Sequence, residues 1–212
     1  MVGDAVTFAL EHTTIVESLK RRNDELTSTY TATIEGLSRA LELRDLETDG
    51  HTRRVSVLTV RLAEHMQIPA DQRASIQQGA LLHDIGKLGI PDAILLKPGS
   101  LTPRVWKVMQ QHPLYAYNIL APIISLRQAL DIPLYHHERW NGSGYPYGLA
   151  NEQIPLSARL FAVVDVYDAL TSDRPYRSAW TRTQALEYLQ EQAGQQFDPG
   201  VVIHFLEMIN ET

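Results

Sequence analysis

The chain contains no cysteine. Disulfides, thiolate-held zinc and cysteine-bound iron–sulfur clusters are therefore excluded, which fits a reducing cytoplasm. Any metal chemistry has to use nitrogen and oxygen donors. Long apolar runs are missing as well. The stretch 105–126 carries a single charged residue, Lys107, yet it also holds Gln110, Gln111, His112, Asn118 and two prolines, and it does not read as a membrane span. No basic segment followed by an apolar one opens the chain, so the expectation is a cytoplasmic location without a signal peptide. A basic face is lacking too: the formal charge of −6 argues against broad nucleic-acid binding. A small anionic ligand would need a local cationic site. Neither sustained period-two alternation nor a repeat of roughly 20–50 residues is present.

What the chain does have is helical punctuation. Its 212 residues suffice for one large domain, or a domain with an appendage, and its apolar content of 44% is ordinary for a globular core. Residues 1 to about 45 read as one long polar helix, or two in series. Ile15, Leu19, Leu26, Tyr30, Leu37 and Leu41 form a narrow seam with charge elsewhere, the pattern of a two-stranded coiled coil or dimer stalk. A helix packed on its own domain gives a similar seam. The opening segment GDAVTFALEHTT has neither a cap nor a turn signal, and it reads as cut from a longer protein. Further helix-like runs cover 48–66, 70–82, 103–111, 113–121, 123–138, 155–171, 182–193 and 199–210. Thr102-Pro103 and Asp198-Pro199 each pair a cap with proline at the first helical position. Thr181 and Gln184 have capping-box spacing, Gly194 is a natural stop, and Pro133 should kink or restart its helix. The segment 141–155, with three glycines and two prolines, is a loop. The fold class these signals predict is all-α.

Chemistry concentrates in 81–92, where His83 and Asp84 set an imidazole nitrogen beside a carboxylate oxygen at the end of an apolar helix. Gly86 and Gly89 allow a sharp turn and close approach to a ligand, and Lys87 adds a cation suited to a phosphate oxygen. A salt-bridged loop after a core helix is the plainer alternative. Of eight histidines, His12, His65 and His204 lie in helical patterns that ask for no special role. His51 follows Glu47 by four residues, on one face if that turn is helical, an assumption Gly50 weakens. His112 ends a helix before Pro113, and His136-His137 are adjacent and able to serve two different metals. Asp165 on an apolar helix needs a partner to offset its desolvation, with Arg159 or Arg174 as the ordinary choice. Asp168, one turn on, is placed either to orient a ligand or simply to face solvent.

These residues lie within motifs that resemble the HD-GYP class of HD-domain phosphodiesterases: LELRDLETDGHTRRV, LLHDIGKLGIPDAILLKPGSLTP, HHERWNGSGYPYGL, IPLSARLFAVVDVYDALTSDRPYR and GQQFDP, over about residues 37 to 206. The resemblance implies an all-α HD-domain bundle (37–212) behind a long N-terminal signalling or coiled-coil helix (1–36). It implies hydrolysis of cyclic di-GMP to pGpG, GMP or both through a metal-activated hydroxide. Two or three divalent ions, iron or manganese, would be held by Glu47, His51, His83, Asp84, His112, His136, His137 and Asp165. Glu47 favours the three-metal variety, and Asp84 is the expected bridging carboxylate. Asp84 and Lys87 would be catalytic, with Lys87, Arg174 and Arg177 on phosphate oxygens. Tyr145 would stack on a guanine or face a partner protein. The resemblance further implies a homodimer through the N-terminal helix, an upstream sensor domain and a diguanylate cyclase partner at the GYP loop. Ala116 departs from the glycine usual in the family, which puts substrate fit in question. A different cyclic dinucleotide as substrate, or a catalytically silent signalling module, are the competing readings.

Overall fold

The computed structural model describes residues 2–45, 50–173 and 178–211. The chain forms two compact units, Met1–Gly36 and Leu37–Thr212. Helix α1 (Val2–Asp45) supplies the first unit and the opening turns of the second. In the first unit Ile15, Leu19 and Leu26 are exposed.

The second unit is built from helices alone; among the described residues its only extended pairings are isolated bridges, Asn141 with Ala150 and Ala193 with Phe197. Its centre is α8 (Leu156–Thr171), which packs against α2 (His51–His65), α7 (Asp131–Tyr135), α9 (Arg182–Glu191) and α10 (Pro199–Asn210). Leu160, Phe161, Val163 and Val164 of α8 are fully buried. An apolar helix with neighbours all round is the expected solution for such a sequence. Val55, Leu62, Ile76, Ile132, Leu189, Val201 and Phe205 close the core around it. Each such side chain contributes about 1.5–3 kcal/mol of burial.

The other elements are α3 (Ala70–Leu81), a 3-10 turn (Ile85–Gly89), α4 (Asp92–Leu95), α5 (Pro103–Met109), α6 (His112–Leu120) and a 3-10 turn (Ile124–Ala129) before α7. The run expected as one helix over 123–138 is therefore two short pieces. Pro133 is tolerated because it falls in the first turn of α7, where its missing N–H has no intrahelical partner to lose. Asp198 and the Thr181–Gln184 pair cap α10 and α9 as expected, whereas Thr102 makes no side-chain cap. Helix α2 starts at His51 behind Gly50 in left-handed conformation, and Glu47, four residues before His51, lies outside the described residues. The backbone N–H of Thr52 donates to Glu42 Oε1 at 2.7 Å, which brings a carboxylate to the positive end of α2.

Ser38 and Arg44 help fasten the last turns of α1 to the 81–92 segment. Ser38 Oγ donates to the Leu81 carbonyl. Arg44 donates to the carbonyls of Lys87 and Ile90 at 2.9 and 2.8 Å and pairs with Asp92 at 2.7 Å.

Candidate metal centre

Three histidines follow one local rule. A helix leaves its last carbonyls without amide partners, and a histidine just beyond can fill one. His83 Nδ1 donates to the Ala80 carbonyl of α3 at 2.9 Å. His112 Nδ1 donates to Met109 at the end of α5 at 2.9 Å. His136 Nδ1 donates to the Ile132 carbonyl in α7 at 3.0 Å, an oxygen that also accepts the His136 backbone N–H. Each bond fixes the tautomer with the proton on Nδ1 and leaves Nε2 as an acceptor facing inward.

His51 is held differently. Its Nδ1 lies 2.8 Å from Asp168 Oδ2, and Arg54 grips the same carboxylate at 2.7 and 2.9 Å. Asp168 thus orients an imidazole, one of the two roles its position allowed. Its pKa falls to about 2, because the hydrogen bonds and charges of His51 and Arg54 outweigh the upward push of burial. The Asp165 carboxylate lies 3.3 Å from His51 Nε2. Arg159, an ordinary candidate for that partner, pairs with Asp198 at 2.6 Å instead.

The donors converge in two groups: Asp84, His112, His136 and His137 in one, His51, His83 and Asp165 in the other. Asp84 reaches both. Its Oδ2 is 3.0 Å from His83 Nε2, and its Oδ1 is 3.4 Å from His112 Nε2 and 3.7 Å from His136 Nε2. That Oδ1 is buried and makes no hydrogen bond. The two imidazole Nε2 atoms face each other at 3.4 Å with both protons committed to Nδ1. Three acceptors converging with no donor between them is a repulsive arrangement that a cation relieves, so the residues fit a divalent metal with nitrogen and oxygen ligands.

Ionisation supports the same reading. Burial carries His112 down to about 4, with His136 adding to the effect against the pull of Asp84. Burial and the neighbouring His136 and His112 hold His137 well below the usual range. Both imidazoles are neutral at pH 7, the form a metal ligand needs. Asp84 stays ionised because Lys87 and His83 overcome its burial. His83 is the exception: burial pushes it down, but the Asp84 carboxylate beside it wins and raises it, so a proton competes there with any cation.

Lys87 Nζ lies 2.7 Å from Asp84 Oδ2 and 2.9 Å from Asp45 Oδ2. Gly86 and Gly89 lie where neighbouring elements pack closely. A Cβ on Gly86 would stand 1.8 Å from the His112 carbonyl oxygen, and one on Gly89 would meet the Tyr115 ring at 2.6 Å. Ala116 is fully buried behind that same contact, where its amide nitrogen would lie 2.6 Å from a Gly86 Cβ.

A cavity of about 210 Å³ opens beside the histidines, lined by Trp106, His136, His137, Arg139, Tyr145 and Asp165 among others. The Tyr145 ring stacks on His137, 4.7 Å between centroids at 28°, with Trp106 edge-on at 6.2 Å. Burial raises the Tyr145 hydroxyl, which stays protonated. Gly144 has no room for a side chain: a Cβ would lie 2.4 Å from the Arg139 nitrogen. The buried Glu138 carboxylate accepts from the Tyr147 and Leu149 amides at 2.7 and 3.0 Å and shapes this loop. Glu138, Asp45 and Arg54 escaped the sequence reading, since a lone charged residue in a helical pattern looks like a solvated one. Glu47, Arg174 and Arg177 lie outside the described residues.

A family model described as an HD domain matches residues 35–201. The chain is 44% identical over 182 residues to a cyclic di-GMP phosphodiesterase of Thermotoga maritima, covering 84% of this chain and 49% of that protein. It is 39% identical over 189 residues to the 3′3′-cGAMP-specific phosphodiesterase 2 of Vibrio cholerae, covering 88% and 36%. The solved structure of Bd1817, an HDG"Y"P protein from Bdellovibrio bacteriovorus, aligns with a TM-score of 0.59 at 21% identity, over 76% of this chain and 51% of that one, a likeness of fold alone. The chain spans about half or less of the length of these curated relatives.

Proposed function

The chain belongs to the HD-domain family, in its HD-GYP class, and from that membership we propose that it is a metal-dependent phosphodiesterase acting on cyclic di-GMP. The observation that carries this is Asp84, whose two oxygens address two groups of donors beside an aromatic-lined cavity. His112, His136, His137 and Asp84 would hold one divalent ion, and His51, His83, Asp165 and Asp84 a second. Glu47 is the natural ligand for a third. Iron and manganese suit this thiolate-free donor set. Such ions, when bound, lower the pKa of a water to near neutrality and take up charge on phosphoryl oxygens.

The chain's own residues then bind and orient. Lys87 holds the Asp84 carboxylate and brings a cation to its edge. Arg174 and Arg177 are assigned to phosphate oxygens, for which guanidinium forks are well shaped. Tyr145 presents an aromatic edge to a guanine. Each opening consumes one water: its oxygen bonds to phosphorus, the bond to the 3′ oxygen breaks, and that oxygen takes the proton. One opening gives pGpG and a second gives two GMP.

Residues 1–36 act in this reading as a signalling helix that pairs two copies and relays an upstream sensor. The apolar residues Ile15, Leu19 and Leu26, exposed by 59, 61 and 70%, support such pairing. The GYP loop, with Tyr147 outward, is the surface offered to a diguanylate cyclase. The working compartment is the cytoplasm, in keeping with the cysteine-free composition.

The second reading is hydrolysis of 3′3′-cGAMP, the activity in the name of the Vibrio cholerae relative. Turnover of both dinucleotides by anaerobically prepared protein loaded with ferrous iron or manganese, with products separated by chromatography, distinguishes them. GMP from cyclic di-GMP supports a three-metal site, and pGpG alone a site that stops after one opening. Turnover of 3′3′-cGAMP only transfers the assignment to that substrate. Metal binding without turnover of either points to another cyclic dinucleotide, and neither turnover nor metal binding leaves the silent signalling module.

A further inference from the structure

A third group of metal-competent side chains lies away from this centre, where α2 ends against α10. His65 is the last residue of α2, and His204 and Glu207 are one turn apart on α10. His65 Nε2 lies 3.5 Å from Glu207 Oε2, and His204 Nδ1 lies 3.3 Å from the same oxygen. All three ligand atoms fall within 4.8 Å of one another. With metal–ligand bonds of about 2.0–2.1 Å, the edges of a tetrahedral zinc site measure roughly 3.4 Å. Two of the three edges here already have that length.

Two further observations favour a cation over a simple ion pair. His204 Nδ1 is closed to solvent yet makes no hydrogen bond, although Glu207 Oε2 is 3.3 Å away. A nitrogen and a carboxylate oxygen that face each other without a well-directed proton leave a gap suited to a shared ion. On the other side of the first imidazole, Glu211 Oε2 stands 3.8 Å from His65 Nδ1. At that distance it is no hydrogen bond, but its charge favours the tautomer with the proton on Nδ1 and Nε2 open to a cation. The two rings meet edge to face at 5.8 Å, and Nε2 of His65 and Nδ1 of His204 both face Glu207.

We infer that His65, His204 and Glu207 form a second, peripheral site for a borderline divalent cation such as zinc, which staples the C-terminal helix to α2. Water supplies the fourth ligand, since Glu207 is half-exposed and the site opens to solvent. The site is independent of the phosphodiesterase assignment, because none of its residues touches the Asp84 centre.

The test compares the full chain with the His65→Gln/His204→Gln double variant, both equilibrated with zinc and freed of excess. Metal content by mass spectrometry is expected to fall by one zinc per chain in the variant, with the ions of the Asp84 centre retained. Zinc at about 100-fold over its dissociation constant is expected to raise Tm on the order of 5 °C more in the parent than in the variant. Glu207→Gln, a change on an exposed carboxylate, gives the same two readouts should the double variant fold poorly. Equal zinc content and equal Tm response in the parent and in either variant would overturn the site.

Discussion

At Asp84 one carboxylate faces two sets of imidazoles, and its Oδ1 is buried without a hydrogen bond. Asp84→Ala should therefore lower bound metal and reduce turnover on the order of 10³-fold or more; metal analysis beside a rate assay checks it, and retention of both would refute the assignment. Asp168 acts one step back, through His51. Asp168→Asn is expected to weaken metal affinity roughly 10–100-fold, with activity largely restored by excess metal. Protonation gives a further test at this scale. His112, at about 4, and His137, well below its usual range, carry no proton to lose at pH 7, whereas His83 is raised. Metal must displace the proton on His83, so affinity is present above its pKa and declines as pH falls through it, by on the order of tenfold per unit. Isothermal titration in buffers of different ionisation enthalpy reads that proton directly. Affinity that does not change between pH 8 and pH 6 would contradict the ligand role of His83.

Helix ends supply most of the histidines of the centre, and the face of α8 supplies Asp165 and Asp168. The ends of α3 and α5 each present a carbonyl that one histidine side chain satisfies, His136 shares the Ile132 carbonyl of α7 with its own backbone N–H, and the start of α2 supplies His51. Irregular backbone would leave those imidazoles free to rotate. The last turn of α1 holds the most demanding of these ends in place through Arg44, which serves two carbonyls of the 87–90 turn and Asp92. Arg44→Ala leaves those carbonyls to find water and is expected to cost about 1–3 kcal/mol in urea unfolding. Turnover should fall with it, because Asp45, the next residue, holds Lys87 beside Asp84. Full stability and full activity in this variant would mean that the clamp is dispensable.

At the scale of the molecule, the exposed seam of the first unit carries the assembly prediction. Leu19→Glu with Leu26→Glu places two charges where a paired helix would bury leucines. The expected outcome in sedimentation equilibrium is a shift from dimer to monomer, with the domain 37–212 still folded. A parent chain that is itself monomeric at micromolar concentration would remove the dimer from the reading.

Much of the fold was legible because its signals are local. Caps at Thr181 and Asp198, the proline at 133 and the glycine-rich loop after residue 141 announce helix ends from neighbours a few residues away. His51, His83, Asp84, His112, His136 and His137 were legible too, as imidazoles and a carboxylate at helix ends or side by side, and Asp165 as a carboxylate on an apolar helix. What stayed hidden was distance in three dimensions. Nothing local says that Asp168 takes His51 from 117 residues away, that Glu42 caps α2, or that Gly86 exists to let α6 approach. His65 and His204, unremarkable in their own helices, meet only because α10 packs on α2. The sequence by itself determined the helical class and the donor chemistry, since propensity, capping and ligand type are properties of residues. Only the tertiary structure decided which carboxylate orients which imidazole and where charge goes unpaired, since those depend on atoms brought together by packing.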